Sequence, residues 1–103
     1  MFEDLVKTLE LHNYGVRAYE QFAQLCYKAV AEQPDYATHY LVLSVFAERF
    51  VSAYDESPLT VGEANTQKER ILGWIEKLEE SLKKNQEEQI KLLNSVSRDF
   101  LYI

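Results

Sequence analysis

Residues 60–101, TVGEANTQKERILGWIEKLEESLKKNQEEQIKLLNSVSRDFL, decide the architecture. Thr60-Val61-Gly62-Glu63 has the form of a capping box, with Thr60 as N-cap and Glu63 at the third helical position. From there the pattern reads helical to the end. Ala64, Ile71, Ile75, Leu78, Leu82, Leu92 and Val96 share one apolar ladder, on which Lys68, Asn85 and Gln89 also fall. Glu79–Lys83, Glu80–Lys84 and Glu87–Lys91 are i,i+4 pairs in the favourable orientation, which support a solvated helix through the polar stretch Lys83–Gln89. Beyond it Ile90, Leu93 and Phe100 restart the apolar stripe one position out of phase, as in a stutter. Either one helix covers 60–101, or a break near Asn85 divides it and adds a fourth helix.

Upstream, residues 36–54 read YATHYLVLSVFAERFVSAY. Tyr36, Tyr40, Leu43, Ala47, Phe50 and Tyr54 form a ladder, and Leu41, Val42, Val45, Phe46 and Val51 cover most of the remaining circumference. A helix apolar nearly all round is expected between neighbours. Pro34 ends the preceding helix and Asp35 is expected to cap this one. In residues 2–33, Leu5, Leu9, His12, Val16, Tyr19, Ala23, Cys26 and Val30 alternate spacings of four and three, while Glu3, Lys7, Glu10, Tyr14 and Arg17 fall on the opposite, solvated face. Gly15 beside Asn13 is a candidate breaker. The ladder keeps its phase from His12 to Val16, so a continuous helix is expected.

The fold class is therefore all-α, a single domain of three long antiparallel helices at about 2–33, 36–54 and 60–101. Their lengths would be roughly 46, 28 and 64 Å at 1.5 Å per residue. The last overshoots the second by about half its length. Its apolar end needs another chain, or a helix that folds back near Asn85. A homodimer is the preferred solution, because most soluble oligomers are symmetric homo-oligomers. The expected interface residues are Trp74, Asn85, Gln89, Ile90, Leu93, Val96 and Phe100. Trp74 suits either a partner contact or the edge of the core. Asn85 and Gln89 either fix the register of an interface or are simply exposed.

Composition sets the functional bounds. The chain has 103 residues and a formal charge of −6, which argues against nucleic acid and anionic membranes as partners. Its longest uncharged run, broken only by His39, is too short to span a bilayer, and no apolar leader segment is visible. A cytoplasmic protein is expected, and the lone Cys26 agrees with a reducing compartment. No phosphate loop, GxSxG elbow or HExxH motif occurs. Cys26 lies on the ladder without a basic neighbour, so it reads as a small hydrophobe rather than a nucleophile. His12 and His39 lack the Glu-x-x-His spacing of di-iron bundles and read as packed histidines. No catalytic residue, cofactor or metal is called for. The expected function is a non-enzymatic protein–protein interaction module of the adaptor, inhibitor, immunity or small-chaperone type, with a protein partner. The alternative is a small-ligand, haem or metal-binding bundle using His12, His39, Glu20 and Glu48.

Overall fold

A computed structural model describes residues 1–99. Among them it contains five α-helices and one 3-10 turn: α1 (Glu3–Leu11), α2 (Val16–Glu32), the turn Pro34–Tyr36, α3 (Ala37–Tyr54), α4 (Val61–Ser81) and α5 (Gln86–Asp99). The all-α class holds and the described residues include no strand. The helix count does not match, because two of the three expected helices are each divided.

The first division falls at residues 12–15, where continuity was expected. Asn13 and Tyr14 take left-handed backbone conformations, φ 53° and 57°. The Tyr14 amide donates to the Leu9 carbonyl at 2.9 Å and the Asn13 amide to Glu10 at 3.1 Å. These two bonds form a Schellman cap, in which Asn is the usual substitute for glycine at the left-handed position. Gly15 is not the left-handed residue; it is the extended N-cap of α2. Each half still buries its own ladder, Leu5 and Leu9 in α1, and Tyr19, Ala23 and Cys26 in α2. Ladder phase reports burial, and two helices packed on one core satisfy it as well as one straight helix does. Tyr14, expected on the solvated face, is buried, with Lys68 4.7 Å above its ring, and Leu11 is 77% exposed.

The second division is the break near Asn85 that the sequence left open. The amides of Leu82, Lys83 and Lys84 bond to carbonyls three residues back, the tight final turn of α4. Asn85 then caps α5, its side-chain oxygen accepting from the Glu88 amide at 2.9 Å. Glu87 and Glu88 occupy the first turn of α5 and Arg98 the last, as the helix dipole favours. Helix α5 folds back on α4 and α3. The structure measures 41 × 27 × 19 Å, too short for a continuous rod over 60–101.

Thr60 caps α4 as expected, accepting from the Glu63 amide at 3.1 Å. Asp35 does not cap α3, because Pro34–Tyr36 winds into the 3-10 turn and α3 has no side-chain cap. Nor is α3 buried all round, since Leu41 and Val45, one turn apart, remain about half exposed. Its inner face carries the core. The Tyr19 ring stacks on Phe50 at 3.8 Å, Phe46 meets Trp74 edge-on at 4.7 Å, and Phe2 meets Tyr40 edge-on at 5.5 Å. These contacts tie α2, α4 and the start of α1 to α3.

Candidate functional site

The described residues among those expected at an interface do not share one exposed surface. Trp74 is 5% exposed; its indole N–H donates to Asp99 Oδ2 at 3.3 Å, and Lys77 lies 3.8 Å from the same carboxylate oxygen. Val96 is fully buried within the chain's own core and Leu93 packs against it half-buried. Both are consumed by the fold-back of α5 within the chain. Asn85 serves as a helix cap, and the Gln89 side chain donates to the Lys84 carbonyl at 3.0 Å. Ile90 alone among the described members is a largely exposed hydrophobe, at 57%. Phe100 lies outside the described residues.

Of the residues in the alternative reading, the two carboxylates come together. Glu20 and Glu48 line one shallow groove between α2 and α3, without a histidine. Among the described residues no group of three His, Cys, Asp or Glu is placed to hold a metal ion. His39 is buried, with Nε2 3.2 Å from Ser81 Oγ. The Ser81 hydroxyl donates to the Leu78 carbonyl at 2.6 Å. Its one proton is thus committed, so Nε2–H of His39 must be the donor to Ser81 Oγ. A base that holds its own proton and a serine turned into its helix form a structural pair, not a nucleophile and its activator. Burial lowers the His39 pKa below its ordinary value. Burial likewise pushes the Cys26 thiol up to about 12, far from a reactive thiolate.

A feature absent from the expected sites lies between α1 and α4. Helix α1 packs on α2, and α4 packs on α5. Between α1 and α4 an open cleft of about 450 Å³ remains. Phe2, Val6, Leu72 and Ile75 make its apolar surface; Glu3, Lys7 and Glu10 rise on the α1 side, and Glu76 and Glu79 on the α4 side. Phe2 and Ile75 are buried beneath, while Val6 and Leu72 are half-buried and face the opening. One end is clipped: the Met1 ammonium lies 2.7 Å from Glu3 and 3.6 Å from Glu79, and the Phe2 amide donates to Glu79 at 3.3 Å. The hydrogen bond to Glu3 and the nearby carboxylates raise the ammonium pKa, and the bond from the ammonium lowers that of Glu3. The sequence hid this cleft because Val6 and Leu72 sit one position beside their ladders. Apolar residues flanked by exposed carboxylates just off a ladder were the available signal.

No family model matches the chain, and no curated protein or solved structure matches it either.

Proposed function

We propose that the chain is a non-enzymatic interaction module that receives a protein partner in the cleft between α1 and α4. The observation that carries this reading is apolar surface left open between two helices that pack on other neighbours, walled by exposed charges. Open apolar grooves receive amphipathic helical segments of partner proteins. The committed hydroxyl of Ser81 and the deeply buried, un-ionised Cys26 support a binding role over a catalytic one. The test is affinity capture from the native host with the wild-type chain and with Val6→Thr/Leu72→Gln, whose fold is checked by circular dichroism. A partner held by the wild type and lost by the variant is expected. Equal capture by both would place binding elsewhere.

A homodimer is a second reading, favoured by a separate surface. Leu41 and Val45 stand on the outer face of α3 at 50% and 41% exposure, beside Glu48 and Arg49. Light scattering should then give about twice 12.1 kDa, reverting to 12.1 kDa on Val45→Asp. A single-chain mass at high concentration would end this reading and leave the first untouched.

A further inference from the structure

We infer that the segment received between α1 and α4 is an amphipathic helix whose apolar face is flanked by Lys or Arg. The inference rests on the proposed interaction role and specifies the partner's chemistry. Three observations carry it. The first is shape. The cleft's volume of about 450 Å³ falls within the small-ligand range, but it is open. A small ligand gains affinity by burying most of its surface, which an open cleft does not provide. An element laid along it can bury one face against Val6 and Leu72 and keep the other in water. That is the helix-in-groove mode.

The second observation is charge. Four carboxylates, Glu3, Glu10, Glu76 and Glu79, rim the opening against a single side-chain cation, Lys7. Next to the cleft, Glu80 at the end of α4 and Lys83 just beyond it add one charge of each sign. The third is how that charge is distributed. The Met1 ammonium already answers Glu3 and Glu79. Among the described residues no ion pair engages Glu10 or Glu76. These two are exposed, on opposite walls of the cleft. A cation on each flank of the incoming helix would meet one carboxylate on each wall. Complementarity of this kind sets which partner is accepted and how fast it arrives. An acidic helix would meet like charge on both sides.

The probe is an 18-residue peptide of Leu and Lys patterned with Leu on one helical face, compared with the same peptide carrying Glu for Lys. Binding is read by fluorescence anisotropy and mapped by amide chemical shifts. The Leu/Lys peptide should bind and shift Val6, Lys7, Leu72 and Glu76. Glu10→Lys/Glu76→Lys should weaken it about tenfold at low ionic strength, and the difference should shrink in high salt as exposed charges are screened. Asp55→Lys/Glu56→Lys, which changes net charge equally in the exposed loop before α4, should leave the affinity within about twofold. Equal weakening by the two variants, or shifts away from the cleft, would mean unspecific attraction to an acidic protein and overturn the inference. If the Leu/Glu peptide bound the cleft as tightly, the basic chemistry would fall while the interaction role survived. A doubled mass with shifts at Val6 and Leu72 would show a second copy in the cleft and overturn the inference too. No response of the cleft to either peptide in a monomeric chain would remove both the inference and the role beneath it.

Discussion

The fold-back of α5 hangs on Val96, and truncating that side chain measures it. Val96 is fully buried, packed in the core that α3 and α4 supply. Val96→Ala deletes two buried carbon groups worth about 0.8 kcal/mol each, and the space left behind adds roughly 1 kcal/mol if the neighbours relax little. Alanine's better helix propensity returns about 0.5 kcal/mol. The net cost is about 2 kcal/mol, a large share of the ~5–15 kcal/mol total of a domain this size, and it lowers Tm by about 10 °C. The assay is urea unfolding followed by the fluorescence of Trp74, the only tryptophan, which is buried one helix away. Ile90→Ala, at an exposed position of the same helix, should change stability by less than about 0.5 kcal/mol. Both should be measured at two protein concentrations about a hundredfold apart. If residues 86–99 instead continued α4 as a rod, Val96 would face solvent or a second copy. A loss below about 0.5 kcal/mol, or one that varied with concentration, would refute the fold-back.

Other perturbations probe separate parts of the chain. Asn13→Val forces a β-branched residue into the left-handed cap and should destabilise by about 1–2 kcal/mol in thermal unfolding, whereas Asn13→Gly should be neutral or better. Gly73 lies inside α4 with open space where a Cβ would stand, so Gly73→Ala should stabilise by about 0.5–1 kcal/mol. Burial holds the His39 pKa below its ordinary 6.5, so the unfolded chain takes up a proton that the folded chain refuses. Stability is thus full above about pH 6.5 and falls as the pH drops below it; urea midpoints from pH 8 to 5.5 should show the decline, and His39→Gln should flatten it. Cys26, fully buried with its pKa pushed up to about 12, should resist Ellman's reagent in the native state and react on denaturation.

Local signals in the sequence determined that this chain is helical and where several helices begin. Thr60 caps α4 through an interaction three residues long. The ladders of residues 5–9, 19–26 and 71–78 are buried as their spacing requires, because a stripe repeated every three or four residues must find cover wherever its helix lies. Pro34 marks the end of α2 in the sequence as in the structure, but only the tertiary structure decided that the chain breaks and reverses at residues 12–15 and 82–85. Continuing through Asn13 or Lys84 would have kept a few backbone bonds, each worth about 1 kcal/mol net. Reversing buries Phe2, Leu5 and Leu9 on one side, and Val96 on the other. The gain comes from contacts with residues far along the chain, which no local pattern reveals. The same reversals took Trp74 and Val96 out of the expected interface. They also set α1 beside α4 with a cleft between them, an arrangement that exists only once residues some 70 positions apart are brought together.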